Sequence, residues 1–235
     1  MIDEPRVLIT GGGQRIGLHC ARRLVADGYR VIITCTHLRP EWKTGSLAGI
    51  EVLQADFSTL EGIQGLIDTL RERKVHLRAI IHNASLWLND RSADDAFQKM
   101  FMVHMQAPYM INQQCADLFD SGMPADIIHI SDYVAQRGSA KHLAYCATKA
   151  GLESLAQSFA AKLSPHIKVN TIAPSMIMFN EDDPQAYRTK TLAKSAMGIE
   201  PGPEVVYEAV RYLMNSTYAT GTCMELNGGR DLRRS

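Results

Sequence analysis

Short apolar runs alternate with amphipathic segments along most of the chain. Runs rich in Val, Ile and Leu predict buried strands, and longer segments with apolar positions three and four apart predict helices. The predicted strands are 6–10, 31–34, 51–55, 77–82, 126–130, 168–173 and 223–226. The predicted helices are 16–27, 60–73, 92–119 with an interruption near Pro108, 142–163 and 204–214.

This alternation of strands and helices predicts the fold class. Strands separated by helices indicate a parallel sheet with helices on both faces. Right-handed crossovers then give a single α/β domain, a Rossmann-like doubly wound parallel sheet of about seven strands. The segment 175–203 contains three prolines and two glycines and few periodic patterns. We interpret it as a lid over a site or, alternatively, as a solvated surface excursion.

Composition narrows the class of protein. Of 235 residues, 25 are basic and 25 acidic, so no net field attracts nucleic acid or an acidic membrane. We interpret Arg230, Arg233 and Arg234 as a solvated tail. Five cysteines without CxxC spacing and eight histidines without HExxH spacing disfavour disulfide and metal frameworks. No signal peptide or membrane span is evident, so we expect a cytoplasmic protein.

A glycine-rich turn follows the first predicted strand. It reads TGGGQRIG at 10–17, and a predicted helix comes directly after it. Glycines let the backbone approach a ligand closely, and a helix N-terminus offers free N–H groups to a pyrophosphate. Arg15 is interpreted as a phosphate ligand, because a guanidinium binds phosphate in bidentate fashion. The alternative is an exposed arginine in the first helical turn.

The residues after the second strand bear on the choice of nicotinamide cofactor. An acidic residue there binds a free ribose 2′-OH, but this chain reads TCTHLR at 34–39. Arg15, His37 or Arg39 could instead pair with a 2′-phosphate, which favours NADPH. Asp56, after the third strand, is placed to accept from the adenine amino group or, alternatively, to cap the next helix.

Tyr145 and Lys149 share one face of a predicted helix, being four residues apart. A lysine ammonium near a phenol is expected to lower the tyrosine pKa, which makes the phenol a proton donor near neutral pH. Ser131 and Asp132 end the fifth strand, and Asn83 follows the fourth. Carboxyl ends of parallel strands line the ligand crevice, so we expect these residues in one site.

These pieces together resemble the short-chain dehydrogenase/reductase family over nearly the whole chain. The matching pieces are TGGGQRIG at 10–17, Asp56, HNAS at 82–85, YCATK at 145–149, APS at 173–175 and TGTCMELNGG at 220–229. Departures from the usual pattern are Arg15 for glycine, His82 and Ser85 around Asn-Ala, Asp132 for serine, His104 for asparagine and Ser175 for the glycine of Pro-Gly. Arg15, Asn-Ala-Ser and Asp132 resemble the pteridine reductase branch, and 129–150 is similar to bacterial enzymes that reduce dihydromonapterin.

The resemblance implies an NADPH-dependent reductase of 7,8-dihydropterins. It would convert 7,8-dihydromonapterin to tetrahydromonapterin and, more weakly, dihydrofolate to tetrahydrofolate, with the hydride going to C6 and a proton to N5. The expected catalytic residues are Tyr145, Lys149 and Asp132. The expected cofactor-binding residues are Gly11, Gln14, Arg15, Ile16, Gly17, Thr36, His37, Asp56, Phe57, Asn83, Ala84, Ser85, Ser131, Tyr145, Lys149, Pro174 and Ser175. The expected substrate-binding residues are Arg15, Trp87, Asp132, Tyr145 and Met176, and no metal site is expected.

The sequence leaves more than one possible role for Trp87, His104 and Asp132. Trp87 stacks the pterin ring or fills the core, and His104 is a core histidine or a site residue. Asp132 holds Tyr145 or orients a water, or it caps a turn while Ser131 acts in its place. The latter corresponds to a ketone or 3-oxoacyl reductase that uses Ser131, Tyr145 and Lys149. A cofactor-binding sensor without activity is disfavoured because Tyr145 and Lys149 are both present.

The resemblance also implies an organisation and an assembly. One domain spans 1–235, with a cofactor-binding half at about 1–130 and a catalytic and substrate-binding half at about 131–235. A homotetramer is expected, formed through the helices near 92–119 and 142–163 and the C-terminal strand. The expected partner is a small pterin, with neither nucleic acid nor a membrane.

Overall fold

The computed structural model describes residues 5–40, 42, 47–90, 94–119, 122 and 124–232. Within these residues seven strands form one sheet: β1 (Arg6–Thr10), β2 (Arg30–Cys35), β3 (Ile50–Gln54), β4 (Leu77–His82), β5 (Asp126–Ile130), β6 (Lys168–Pro174) and β7 (Cys223–Leu226). The helices are α1 (Arg15–Ala26), α2 (Leu60–Glu72), α3 (Ala96–Phe101), α4 (Ala107–Cys115), α5 (Leu143–Leu163), α6 (Gln185–Leu192) and α7 (Glu204–Asn215).

All neighbouring strands are parallel, in the order β3-β2-β1-β4-β5-β6-β7. The chain winds outward from β1 to β3, then returns to the other side of β1 with β4. This confirms the predicted doubly wound sheet. Where the winding direction changes, the loops after β1 and β4 diverge and leave a crevice at the carboxyl ends of the strands.

Side chains alternate between two apolar layers on the faces of the sheet. Leu8 packs into the layer covered by α2, α4 and α5, whereas Val7 and Ile9 pack into the layer covered by α1 and α7. Because both faces are covered, the central strands read as nearly continuous apolar runs. The alternation explains why the sequence pattern located the strands so closely.

The predicted helix 92–119 is divided in the structure. A π-helical turn, Met102–Gln106, separates α3 from α4, and Pro108 occupies the first turn of α4. Pro108 has no N–H to donate to the carbonyl four residues earlier, so the α-helical ladder is broken just before it. The interruption therefore begins earlier than the sequence predicted, while the expected start at 92 lies outside the described residues.

The segment 175–203 contains α6, which the sequence analysis missed. Nearly all of α6 is exposed, with only Thr191 buried, so it has no apolar stripe to reveal it. The segment is nevertheless held to the body of the protein. The N–H of Gly202 donates to the carbonyl of Ile177 (3.0 Å), and the N–H of Phe179 donates to the carboxylate of Glu200 (2.7 Å).

A buried ion cluster ties the amino-terminal edge of the sheet to α7. Asp126 is fully buried, 2.6 Å from Lys168 Nζ, and accepts a hydrogen bond from Arg78 Nη1 (2.5 Å). Lys168 Nζ also donates to the carbonyls of Leu213 (2.7 Å) and Ser216 (2.6 Å) at the end of α7. Each charge is thus paired, which such burial requires.

Candidate active site

The glycine turn packs directly against the end of β4. Gly11 has a φ of +61°, and a Cβ placed on it would lie 2.7 Å from Ala84 Cα. A Cβ on Gly17 would lie 2.5 Å from Asn83 Nδ2. Asn83 Nδ2 donates to the carbonyls of Thr10 (3.1 Å) and Gly11 (2.9 Å). Asn83 and Ala84, expected as cofactor residues, therefore also shape the turn itself, where only glycine fits.

A cavity of about 930 Å³ opens beside this turn and the first turn of α1. Twelve of the expected cofactor-binding residues line it: Gly11, Gln14, Arg15, Ile16, Gly17, Thr36, His37, Asp56, Phe57, Asn83, Ala84 and Ser85. A volume of this size is typical of sites for small molecules and cofactors. The α1 N-terminus has no side-chain cap, so its first N–H groups are available to an anionic ligand in this cavity.

Four basic side chains line the cavity. Arg39 and His37 follow β2, Arg15 begins α1 and Lys99 lies in α3. The guanidinium carbon of Arg39 lies 4.9 Å from the ring centroid of Trp42, an aromatic that the sequence analysis did not single out. This wall suits an anionic group such as a phosphate.

Asp56 makes hydrogen bonds within its own turn. Its Oδ1 accepts from the N–H (2.9 Å) and the hydroxyl (2.7 Å) of Ser58, and these bonds lower the pKa of Asp56. The N-cap of α2 is Thr59, whose hydroxyl accepts from the N–H of Gly62 (3.0 Å). The alternative that Asp56 caps this helix is therefore wrong.

Arg15 bridges the glycine turn and the segment 175–203. Its backbone has a φ of +50°, and its guanidinium donates to the side chain of Asn180 and to the carbonyl of Met178 (3.1 Å). The sequence analysis did not anticipate Asn180, because the two residues are 165 positions apart. The contact brings the segment against Arg15, which lines the cavity, and so favours the lid interpretation.

Tyr145 and Asp132 form a direct hydrogen bond. Tyr145 Oη donates to Asp132 Oδ2 (3.0 Å), while Asp132 Oδ1 accepts from the N–H of Val134 (2.9 Å). Asp132 thus both holds the phenol and caps the short 3-10 turn that follows β5. The Ser131 hydroxyl instead donates to Glu153 Oε1 (2.8 Å), so the residue next to Tyr145 Oη is the carboxylate.

The environment of Tyr145 corrects one expectation. Burial, and then the negative charge of Asp132, raises the pKa of Tyr145. Lys149 Nζ donates to the carbonyl of Ile130 (3.0 Å) and lies 5.8 Å from the tyrosine ring centroid, and burial lowers its pKa to about 8. The prediction that Lys149 lowers the pKa of Tyr145 is therefore wrong for this arrangement, because desolvation and the carboxylate dominate.

His104 joins the turn after β4 to α5. Its Nε2 accepts from the N–H of Leu86 (3.0 Å) and lies 3.1 Å from Ser85 Oγ. Nδ1 therefore carries the proton and donates to Thr148 Oγ1 (2.8 Å), which in turn donates to the carbonyl of Tyr145 (3.0 Å). Burial, and then the charge of Lys149, lowers the pKa of His104, so the ring is neutral.

The remaining expected residues are not among those that line the cavity. The indole of Trp87 is 57% exposed, and its ring centroid is 5.1 Å from that of His142, just before α5. The alternative that Trp87 fills the core is therefore wrong. Pro174 ends β6, Ser175 Oγ accepts from Arg230 Nη1 (2.9 Å), and Met176 is half-buried.

The described part of the chain contains neither a metal-binding cluster nor a membrane-spanning helix. Across the described ranges, no three His, Cys, Asp or Glu side chains are grouped so that they could hold a metal ion. In the same ranges, no helix combines the length and the apolar character that a membrane crossing needs.

Comparison with known proteins gives the family. The family model described as short chain dehydrogenase matches residues 5–184. Dihydromonapterin reductases from Enterobacter sp. (strain 638) and Klebsiella pneumoniae subsp. pneumoniae are 44% and 43% identical, covering 96% and 98% of this chain and 96% and 99% of theirs. The structure of FolM alternative dihydrofolate reductase 1 from Brucella suis in complex with NADP has a TM-score of 0.87 and 25% identity, covering 100% of this chain and 98% of that one. The chain therefore belongs to the short-chain dehydrogenase family of oxidoreductases.

Proposed function

We propose that this protein is an NADPH-dependent reductase of 7,8-dihydropterins, with 7,8-dihydromonapterin as its main substrate and dihydrofolate as a weaker one. The observation that carries the proposal is the hydrogen bond from Tyr145 to Asp132, a carboxylate where a ketone reductase would use a serine hydroxyl. The relatives named dihydromonapterin reductase and the NADP-bound FolM structure support the same choice.

The shape and charge of the cavity fit the proposed cofactor. The close approach of backbone at Gly11 and Gly17 leaves room for a pyrophosphate but not for a side chain. His37 and Arg39 would hold a 2′-phosphate, and Lys149 the nicotinamide ribose. When bound, the reduced nicotinamide supplies a hydride to C6 of the pterin.

The pterin would lie near the phenol and beside the exposed indole. A flat heterocycle needs an apolar platform, and more than half of the Trp87 side chain is exposed for contact. Arg15 and Met176 would contact its edges. Arg15 joins the glycine turn to the segment 175–203, and Met176 belongs to that segment.

Tyr145 would deliver the proton that N5 gains as the hydride reaches C6. Its raised pKa keeps the phenol protonated across the neutral range but also makes it a weak acid, so the transfer would depend on the rise in the basicity of N5 during reduction. Asp132 holds the hydroxyl through its Oδ2 atom, and His104 holds the backbone of Tyr145 through Thr148. We infer that these contacts orient the donor, or a water next to it.

The test is direct. Purified protein mixed with NADPH and 7,8-dihydromonapterin is expected to lose absorbance at the nicotinamide wavelength, more slowly with dihydrofolate and more slowly with NADH. The Tyr145→Phe variant, which keeps the ring and loses the hydroxyl, is expected to be inactive. Turnover of ketones or 3-oxoacyl thioesters but of no dihydropterin would establish the alternative, although the bond from Ser131 to Glu153 argues against it.

We also propose the organisation and assembly that the family implies. The cofactor half is about 1–130, the substrate half is about 131–235, and four copies associate. Phe97 and Leu143 are large apolar side chains that are 55% and 65% exposed on α3 and α5, which supports a contact there. A monomer in gel filtration at micromolar concentration would refute the assembly.

A further inference from the structure

Four basic side chains from three segments gather beside the carboxyl ends of β5 and β6. Lys141 precedes α5, Lys190 lies in α6, Lys194 follows α6, and Arg230 begins the C-terminal 3-10 turn, Arg230–Leu232. The N–H of Met197 donates to the carbonyl of Gly228 (3.0 Å), so the end of the 175–203 segment packs on the residues just before Arg230. Burial, and then the charges of the other three cations, lowers the pKa of Lys194.

Arg230 places this basic cluster next to the proposed pterin site. Its Nη1 donates to Ser175 Oγ (2.9 Å), and its guanidinium carbon lies 5.0 Å from the ring centroid of Tyr133. Ser175 follows β6 directly, and Tyr133 follows Asp132. On another side, Lys141 immediately precedes His142, against which Trp87 packs. The cluster therefore lies beside the segments that carry Asp132, Ser175 and Trp87, around the proposed pterin site.

The cluster keeps its positive charge within the described part of the chain. No carboxylate oxygen there lies within 4.0 Å of a basic nitrogen of Lys141, Lys190, Lys194 or Arg230. The nearby Asp231 forms its ion pair with Arg137. Unpaired like charges brought together attract an anion to the space between them.

We propose that this cluster binds the carboxylates of an anionic substituent on C6 of the dihydropterin, such as the glutamate of dihydrofolate. The inference rests on the proposed function. Hydride reaches C6 from the face of the ring, whereas the substituent on C6 extends outward in the ring plane, and the basic cluster lies beside the proposed pterin site. The side chain of dihydromonapterin carries only hydroxyl groups, whereas that of dihydrofolate carries two carboxylates. The cluster therefore acts on the second substrate and not on the first.

The experiment compares kcat and KM for both dihydropterins in the wild type, Lys194→Gln, Lys194→Glu and Arg22→Glu. Arg22 is exposed on α1 and serves as the matched charge reversal. In Lys194→Glu, kcat/KM for dihydrofolate is expected to fall about tenfold through KM, and in Lys194→Gln a few-fold, since exposed ion pairs are weak individually. Dihydromonapterin kinetics should change less than twofold, and Arg22→Glu should resemble the wild type. High salt should raise KM for dihydrofolate alone.

Other outcomes separate the two proposals. Equal losses with both dihydropterins, or a raised KM for NADPH, would assign Lys194 to the fold or to the cofactor and overturn the inference. A Lys194→Glu variant that keeps its dihydrofolate KM would overturn the inference and leave the proposed function intact. A wild type that reduces dihydromonapterin but not dihydrofolate would also overturn it, and would remove dihydrofolate from the proposed function while leaving dihydromonapterin reduction in place. A wild type that reduces no dihydropterin would overturn both.

Discussion

Replacing Asp132 by Asn removes one charge while keeping the size of the side chain. In the structure Oδ2 accepts from Tyr145 Oη (3.0 Å), and Oδ1 accepts from the N–H of Val134 (2.9 Å). The Asn side chain retains an oxygen for Val134, so the 3-10 turn stays capped. Asp132→Ala loses that cap as well, which is expected to lower the free energy of unfolding by about 1 kcal/mol.

The magnitude for catalysis follows from the kind of hydrogen bond lost. A hydrogen bond to a charged group contributes about 1.5–3 kcal/mol, which corresponds to roughly 10- to 150-fold in rate when the bond orients the proton donor. We therefore expect kcat with dihydromonapterin to fall about 100-fold in Asp132→Asn. Because the charge of Asp132 is a cause of the raised pKa of Tyr145, that pKa should fall in the variant.

The assay combines steady-state kinetics with an ultraviolet titration of tyrosinate, using Tyr145→Phe to identify the contribution of Tyr145. Ser131→Ala is the matched control, since the Ser131 hydroxyl contacts Glu153 instead of the phenol. Its kcat should stay within a few-fold of the wild type. If Asp132→Asn kept nearly full activity while Ser131→Ala abolished it, the assignment of Asp132 would be refuted.

Three further predictions concern stability and cofactor binding. Burial lowers the pKa values of His82 (to about 4), His104 and His129, so the folded protein keeps them neutral while the unfolded chain protonates them below pH 6.5. These histidines therefore leave the free energy of unfolding unchanged above pH 6.5, and below it each lowers that free energy by about 1.4 kcal/mol per pH unit. Denaturant titrations between pH 6 and pH 4.5 should show this fall, and a free energy of unfolding that stays constant would contradict the prediction. Asp126→Ala leaves the buried Arg78 and the partly buried Lys168 without their carboxylate and should lower the free energy of unfolding by about 3 kcal/mol, so an unchanged urea midpoint would disprove the role of the cluster. Gly17→Ala adds a methyl group 2.5 Å from an amide nitrogen and should weaken NADPH binding about tenfold, measured by the fluorescence of the bound nucleotide; an unchanged Kd would show that the turn can adjust.

Most of the architecture was predictable because it rests on local patterns repeated along the chain. The strands 77–82 and 126–130 were predicted to the residue, since strands buried on both faces are mostly apolar, and 223–226 was predicted to the residue although it is only partly buried. The polar helix α6 was missed for the opposite reason, because an exposed helix needs no apolar stripe.

Part of the candidate site was also predictable from local sequence. The spacing of Tyr145 and Lys149 and the glycines of the first turn could be identified, since helix periodicity and close backbone approach depend on residues only a few positions apart. The hydrogen-bond partner of each polar atom could not be predicted from the sequence. The hydroxyl of Ser131 contacts Glu153, and the guanidinium of Arg15 contacts Asn180.

The sequence by itself determined the doubly wound sheet, the edge of the sheet at which the candidate site lies and the side chains available there. Only the tertiary structure decided that Asp132 is the residue bonded to Tyr145, that His104 is neutral, and that Lys194 and Arg230 lie together. The physical reason is the separation along the chain between the residues that interact. Apolar periodicity sums many local contributions, whereas hydrogen-bond direction, desolvation and charge clustering depend on neighbours that the chain brings together only when it folds.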